Sequence, residues 1–390
     1  MGKSEFRACL ILGLVTLFIT ALMWLPHYLA LPNFYGLNFS EGFNTIYRNF
    51  DGIEYIIIAK SFYRPELIAH LPQSLSASYY AAHFPGFALV ILAFSPLLGF
   101  LKSMLFSSLL FTYLSTVAFF FLIRRFKLSS QPLWLAVLFL VLPARWLIVH
   151  SVGSAEPMFI FFVLLSVYFF KEFQETKKSS FIWFSALAGL VAQLTRPPGI
   201  LLFIAIGIYA LYELFWEQKG AFLQRFIKIV QTYLPFILIP LGLLGVFILY
   251  SFTYHDFWAY FHSGDNIHLT LPPFQIFNKH QFWVGEIWLE DVIYILILGF
   301  FGGLYLWKKN LRGMGTFVLT YITATALVTH RDISRYALPI FPFLIIAFEK
   351  VLISKEFKIV MAILAVAFYL YAQNFLIANV APIAELTPFN

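Results

Sequence analysis

Apolar residues recur along this chain in runs long enough to form membrane-crossing helices, and short polar breaks separate the runs. A hydrocarbon core about 30 Å thick is crossed by about 20 apolar residues of helix. Strands of a membrane barrel would instead alternate in units of about 10 residues, so the pattern predicts helices. The predicted spans are residues 8–30, 103–123, 131–150, 157–171, 181–195, 198–215, 229–251, 292–307, 314–329, 339–350 and 357–378. The sequence therefore predicts an all-α polytopic membrane protein with about 11 transmembrane helices.

Composition supports this fold class. The chain is 61% hydrophobic and 12% charged, with a mean hydropathy of +0.82, whereas roughly 25% of the residues in a soluble domain are charged. The apolar run at residues 10–30 is longer than that of a cleavable signal peptide and lacks a small-residue cleavage site. We therefore predict that this first segment is a retained anchor. The single cysteine, Cys9, excludes a disulfide within the chain.

The distribution of charge predicts how the helices are oriented. Basic residues cluster between the apolar runs, and the positive-inside rule places such clusters on the cytoplasmic side. The clusters are Lys3 and Arg7; Arg124, Arg125 and Lys127; Lys171, Lys177 and Lys178; Lys219, Arg225 and Lys228; Lys308, Lys309 and Arg312; and Lys350, Lys355 and Lys358. All of them lie inside only if residues 85–100 do not cross, so we expect an interfacial helix there, broken by Pro96. This distribution accounts for the net charge of +7 without a nucleic-acid partner.

On this orientation the large polar segments lie outside. They are residues 31–102, the first outer loop with its interfacial helices, and residues 252–291, the second. The sequence shows no internal repeat or soluble-domain linker, so we expect one membrane domain over residues 1–390. Most acidic residues fall on the outer side, and we expect any chemistry there.

The stretch NFDGIEYIIIAK, residues 49–60, places two carboxylates three positions apart in the first outer loop. Asp51 and Glu54 fit an acidic version of the capping box at a helix start. They also fit a site in which one carboxylate takes a proton from an acceptor hydroxyl. Asp51 is the better candidate for that base, because a short side chain at a helix start is more rigidly placed. The spacing alone leaves both interpretations open.

Further charged residues lie at predicted outer helix ends. Glu156 precedes Pro157, which is well suited to the first position of a helix, so Glu156 is either a first-turn acid or a site residue. Arg145 fits an interface anchor. Arg196 and Arg335 also lie at helix ends, where a guanidinium fork suits a phosphate. Together these arginines favour a phosphate-bearing lipid substrate.

The second outer loop is rich in potential metal ligands. His255, Asp256, His262, Asp265, His268, His280 and Glu286 lie within residues 253–291, but no familiar zinc spacing occurs among them. We therefore predict no metal site in this loop and assign no cofactor. A divalent cation is the alternative. The sequence also lacks a Gly-rich phosphate loop and a dinucleotide fingerprint.

Several motifs occur in the order found in the PIG-V-like mannosyltransferases, the family of GPI mannosyltransferase II within the GT-C glycosyltransferase superfamily. FDGIEYIIIAKSFY, from Phe50, resembles a family motif W-D-x-x-x-[YF]-x-x-I-A-x-x-G-Y. The later matches are AHFPGF from Ala82, SAEPMF from Ser154, ALAGLVAQLTRP from Ala186 and SRYALP from Ser334. Phe50 stands where the family has Trp, His83 where it has Phe, and Pro157 where it has Ser. These departures affect donor and acceptor preference more than reaction class.

The resemblance implies a GT-C-like fold and an inverting mannosyltransferase. It implies that Asp51 is the catalytic base, and that the substrate contacts are Glu54, Tyr55, His83, Glu156, Arg196, Arg335 and Tyr336. The donor would be a sugar on polyprenyl (dolichyl) phosphate, and the acceptor a lipid, a glycan or a protein. The site would face outward from a bacterial or archaeal plasma membrane, among membrane lipids, or lie in the endoplasmic reticulum of a eukaryote.

Two alternatives belong to other classes of protein. A transporter or flippase of lipid-linked saccharides would place charged residues near mid-membrane and show internal repeats. A structural subunit of a glycosyltransferase complex would have no activity alone. The acids here cluster in outer loops, which favours the enzyme.

Overall fold

A computed structural model describes residues 2–72, 75–264, 269–284, 289–383 and 385–390. Within these ranges the regular structure is helical, and the only β pairing consists of isolated bridges, such as that between Asn49 and Val380. The chain divides into two compact units. The first unit comprises residues 1–161, 246–264 and 349–390, and the second comprises residues 162–245 and 265–348. A single domain over the whole chain stays a prediction.

The first unit combines long helices with the short helices of the first outer loop. Its longer helices are Lys3–Tyr28, Gly52–Ser61, Pro85–Leu98, Phe100–Arg125, Pro132–Phe139, Ala144–Val149 and Lys355–Ala378. Its shorter helices are Asn44–Tyr47, Pro65–Ile68, Ala77–Ala82, Glu349–Leu352 and Thr387–Phe389.

Helices Glu156–Thr176 and Leu238–Thr253 each have residues in both units. The longer helices within the second unit are Ser179–Thr195, Ile200–Tyr212, Phe222–Tyr233, Glu290–Lys308 and Arg312–Thr325. Shorter helical turns are Pro197–Gly199, Glu213–Glu217, Leu234–Ile237, Gln275–Phe277, Phe282–Val284, Ile333–Tyr336, Leu338–Ile340 and Phe341–Ala347.

In the described part of the chain, 6 helical segments are long and apolar enough to cross a membrane: Lys3–Tyr28, Phe100–Arg125, Pro197–Glu217, Phe222–Thr253, Glu290–Lys308 and Lys355–Ala378. Shorter apolar helices accompany them at Pro85–Leu98, Ser179–Thr195 and Ile333–Ala347. The prediction of a polytopic all-α membrane fold is confirmed, and the number of spans stays a prediction.

Two local predictions were wrong. Residues 131–150 do not form one continuous helix. Pro132–Phe139 and Ala144–Val149 are separate helices. Pro143 lies between them, and proline disfavours helical conformation in the residue before it.

The helix over residues 85–98 is also not broken at Pro96. Proline leaves the carbonyl four residues earlier without its amide donor. Here the Ser95 hydroxyl donates to that carbonyl, Leu92 O, at 2.9 Å, and the helix continues to Leu98. It ends at Gly99, whose φ of +74° lies in a region that glycine adopts most readily.

The start of the first outer loop is fixed to the end of helix Lys355–Ala378. Asn49 is fully buried, and its amide donates to Thr45 O at 2.9 Å and to Leu376 O at 2.8 Å. The backbone N–H of Ala381 donates to Arg48 O at 2.8 Å. These bonds satisfy buried carbonyl groups and hold the chain that leads into residue 51.

Candidate active site

Asp51 occupies the N-cap position of helix Gly52–Ser61, but its carboxylate makes no capping hydrogen bond within the described part of the chain. The predicted acidic capping box is therefore not formed. The carboxylate instead lies near His83, with Oδ2 3.9 Å from Nε2. This distance allows an ion pair and exceeds that of a hydrogen bond. The Asp51 side chain is 27% exposed, so it remains accessible to a substrate.

The backbone immediately before Asp51 is in an unusual conformation. Phe50 has a φ of +50°, in the left-handed region that costs a non-glycine residue free energy. Its ring stacks on Phe375 at 5.6 Å. The Arg145 guanidinium lies 4.0 Å from the centre of the same Phe375 ring. The packing around Phe375 therefore holds the turn that presents Asp51.

The segment that carries His83 is held by buried tyrosines. Tyr63, at 1% exposure, donates its hydroxyl to His83 O at 2.7 Å, and Tyr250 donates to Ala81 O at 2.8 Å. The predicted site residue Tyr55 presents its ring to His83 in an edge-on contact at 5.4 Å. The structure thus brings Asp51, Tyr55 and His83 together. Tyr63 ends the first sequence motif, but its anchoring role was not predicted.

We expect Tyr63→Phe to lower the free energy of unfolding by about 1–3 kcal/mol, because the buried His83 carbonyl would lose its donor. Tyr254→Phe is a matched control. Its hydroxyl is buried and has no hydrogen-bond partner among the described residues, so its removal should cost little. Thermal unfolding of the two variants in detergent compares them, and equal losses would contradict the role given to Tyr63.

Glu54 lies in the first turn of helix Gly52–Ser61 and is partly buried. Burial raises the pKa of the Tyr80 hydroxyl above its usual value, and the Glu54 carboxylate raises it further. The Glu54 carboxylate therefore lies close enough to the Tyr80 hydroxyl to affect its pKa. A direct role in substrate binding stays a prediction.

A close backbone approach connects the start of this helix to the turn that precedes Glu156. A Cβ placed on Gly52 would lie 2.9 Å from Gly153 O and 2.6 Å from Met104 Sδ. No side chain fits at this position without movement of the backbone opposite. The contact therefore places residues 51 and 52 against the turn at residue 153.

That turn is itself fixed by hydrogen bonds. The N–H of Ser154 donates to the Ser108 hydroxyl at 2.9 Å, and the Ser154 hydroxyl donates to Val149 O at 2.8 Å. Glu156 follows as the first residue of helix Glu156–Thr176 and is fully buried. The helix dipole favours a carboxylate in the first turn. Because burial of a charged group costs free energy, the burial of Glu156 distinguishes it from an ordinary surface carboxylate.

The remaining predicted residues belong to the second unit. Arg196 follows helix Ser179–Thr195. Arg335 and Tyr336 lie in the short helix Ile333–Tyr336, and the Tyr336 ring meets His330 edge-on at 5.4 Å. All three side chains are partly buried. Their roles in substrate binding stay predictions.

Three of the potential metal ligands in the second outer loop, Asp265, His268 and Glu286, lie outside the described residues. Among the described residues no group of three His, Cys, Asp or Glu side chains could hold a metal ion. Asp256 instead accepts a hydrogen bond from His262 at 2.6 Å. This bond lowers the pKa of the Asp256 carboxyl.

The structure resembles a known membrane protein. The crystal structure of ArnT from Cupriavidus metallidurans bound to undecaprenyl phosphate aligns over 90% of this chain with a TM-score of 0.57 and 13% sequence identity. The chain has the fold of ArnT. It spans 63% of the length of ArnT. No protein-family model and no curated protein matches the sequence.

The likeness to ArnT confirms the predicted GT-C-like fold class. Membership of the GT-C superfamily and of the PIG-V-like family stays a prediction. The resemblance implied helices in the first outer loop, and the structure has several short helices there. The burial of most residues of Gly52–Ser61 was not predicted.

Proposed function

We propose that this chain is an integral membrane glycosyltransferase that moves a sugar from polyprenyl phosphate to a hydroxyl acceptor. The resemblance to the PIG-V-like family indicates that the sugar is mannose. The observation that carries the proposal is the placement of Asp51. Its carboxylate does not cap the helix that it begins, lies within ion-pair distance of His83 and remains accessible. The fold shared with ArnT, a protein crystallised with undecaprenyl phosphate, supports the class of donor.

In the proposed reaction Asp51 accepts the proton of the acceptor hydroxyl. The hydroxyl oxygen forms a bond to the anomeric carbon, and the bond between that carbon and the phosphate oxygen breaks. The polyprenyl phosphate leaves with the bonding electron pair. Because attack and departure occur on opposite faces in one step, the anomeric configuration inverts and one base is sufficient.

His83 is proposed to hold Asp51 ready for this step. A protonated imidazole at 3.9 Å favours the ionised carboxylate, which is the form that accepts a proton. Tyr55 packs against the ring of His83, and Tyr63 donates a hydrogen bond to the His83 carbonyl, so both hold the histidine in place. Glu54, Glu156 and Tyr336 are proposed as contacts for the sugars, since carboxylates and a phenol hydroxyl bind sugar hydroxyls.

Arg335 and Arg196 are proposed as ligands of the donor phosphate, where a guanidinium stabilises the charge of the leaving group. We expect Arg335→Lys to lower kcat/KM for the donor by about 10- to 100-fold, because a lysine cannot reproduce the planar fork. Arg331→Lys, four residues away at an exposed position, is the control and should keep near-normal activity. Equal activity of the two variants would contradict the role of Arg335.

The assay for the proposed function uses purified protein in proteoliposomes with radiolabelled polyprenyl-phosphate-mannose and a lipid extract as acceptor. Label that moves from the polyprenyl phosphate into a new covalent product supports the proposal. Label that crosses the bilayer while the donor remains intact would instead identify a flippase. A parallel reaction with polyprenyl-phosphate-glucose tests the sugar, and preferential transfer of glucose would overturn the assignment of mannose.

A further inference from the structure

A polar cavity of about 400 Å³ lies in the second unit, and none of its lining residues belongs to the candidate active site. It is formed by the end of helix Glu156–Thr176, the turn Glu213–Glu217, helix Phe222–Tyr233 and the start of helix Arg312–Thr325. Its charged lining consists of Lys171, Lys177, Lys228, Arg312, Glu213 and Glu217. These four cations belong to three of the basic clusters that the positive-inside rule places at the cytoplasmic face.

The two carboxylates of the cavity are already engaged. Glu213 accepts hydrogen bonds from the Tyr233 hydroxyl at 2.5 Å and from Gln218 at 2.7 Å. Glu217 forms an ion pair with Arg312. Arg312 is thus paired with Glu217, and Lys171 forms an ion pair with Glu175 outside the lining. Four cations against two carboxylates still leave positive charge in excess in the lining, and both ammonium groups and a guanidinium are present. This is the combination of donors that binds a phosphate group.

An exposed aromatic surface adjoins the cavity. Phe215 and Trp216, at 56% and 74% exposure, lie in the same turn as Glu213 and Glu217. Phe222 and Phe226 lie on the helix that carries Lys228, and are 54% and 45% exposed. The rings of Phe215 and Phe222 are 6.5 Å apart, and those of Phe222 and Phe226 are 6.2 Å apart. We call these four residues the aromatic ridge.

Helix Phe222–Tyr233, which carries part of the aromatic ridge, is amphipathic. Its apolar side chains lie on one side, its basic and amide side chains on the other, and among its residues only Ile229 is buried. A helix of this kind lies in the interface of a membrane, with apolar side chains among acyl chains and basic side chains at the headgroups. A phosphate-binding cavity and a lipid-facing ridge are thus adjacent in one unit.

We propose that this cavity binds the headgroup of an anionic phospholipid, with the phosphate between Lys177, Lys228 and Arg312 and the acyl chains along the aromatic ridge. A free phosphate or a soluble phosphate ester shares the chemistry of the headgroup but does not use the ridge. The ridge therefore selects the lipid as the occupant. Lipid bound there would connect the turn Glu213–Glu217 to the membrane surface.

The test measures lipid retained by the purified full-length protein in native mass spectrometry, with phosphatidylglycerol, phosphatidylcholine and inorganic phosphate as separate probes. The wild-type protein should retain phosphatidylglycerol in preference to phosphatidylcholine. Lys177→Gln combined with Lys228→Gln should weaken phosphatidylglycerol binding by about 10-fold or more, since each lysine near a headgroup contributes about 1 kcal/mol. Trp216→Ser should weaken binding of the lipid and leave binding of inorganic phosphate unchanged.

The matched control is Lys178→Gln combined with Lys219→Gln. These exposed lysines belong to the same basic clusters and carry the same charge, but they do not line the cavity. Equal phosphatidylglycerol affinity in the two double variants would overturn the proposal. Equal retention of the two phospholipids by the wild-type protein would overturn it without any variant. Phosphate binding with no effect of Trp216→Ser on the lipid would assign the cavity to a soluble anion.

Discussion

Asp51→Asn is expected to reduce sugar transfer by about 10²- to 10⁴-fold, the contribution of a positioned general base. The amide is nearly isosteric with the carboxylate but cannot accept the proton of the acceptor hydroxyl. The folded state should be little affected, because the amide keeps the size of the carboxylate and the side chain is 27% exposed. Initial rates of transfer and thermal unfolding of the same preparation measure the two effects separately.

Glu54→Gln compares the two carboxylates, since Glu54 is proposed to contact the sugar and not to accept the proton. Glu54 lies one helical turn from Asp51 and carries the same charge, and we expect the variant to lose less than about 10-fold in rate. A rate for Asp51→Asn within a few-fold of wild type would remove the base from the mechanism. A large loss in Glu54→Gln alone would transfer the role to the second carboxylate.

The second large effect is expected from Gly52→Ala. The added Cβ would lie 2.9 Å from Gly153 O, a backbone atom, and 2.6 Å from Met104 Sδ. Overpacking of this kind costs about 1–3 kcal/mol, and the shift it forces begins one residue from Asp51. A displacement of about 1 Å at a reacting group lowers rates by about 100-fold. We therefore expect a lower unfolding temperature together with a strong loss of transfer.

Gly153→Ala separates the backbone contact from general crowding. Its Cβ would meet Met104 side-chain atoms, at 2.3 to 2.8 Å. Because methionine is flexible, this side chain can move aside. The substitution should therefore be milder than Gly52→Ala. In a double-mutant cycle, Met104→Ala should relieve Gly153→Ala but not Gly52→Ala. Relief of both by Met104→Ala would show that the backbone approach is unimportant.

The hydrophobic pattern predicted the long helices closely. Residues 8–30, 103–123 and 357–378 correspond to Lys3–Tyr28, Phe100–Arg125 and Lys355–Ala378. The pattern did not predict correctly which prolines interrupt a helix, because that depends on the residues around each proline. At Pro96 a serine hydroxyl replaces the lost donor and the helix continues. At Pro143 the helical run is interrupted. Both prolines stand in apolar runs, so hydropathy alone does not distinguish them.

The candidate site was only partly visible in the sequence. Asp51 and His83 are far apart in the chain, and only the resemblance to a family indicated that they belong to one site. The local spacing left a capping box and a catalytic base both open, but the Phe50 turn and the contact between Gly52 and Gly153 decide the geometry. Such contacts between distant segments leave no periodic pattern, and the buried anchors Asn49, Tyr63 and Tyr250 were missed for the same reason.

The most direct test is the anomeric configuration of the product that purified protein forms from polyprenyl-phosphate-mannose, determined by NMR. Single-step displacement with Asp51 as the base predicts a covalent product whose anomeric configuration is opposite to that of the donor. A product with retained configuration would contradict the mechanism. Donor recovered intact, with no glycosylated product, would contradict the proposed function itself.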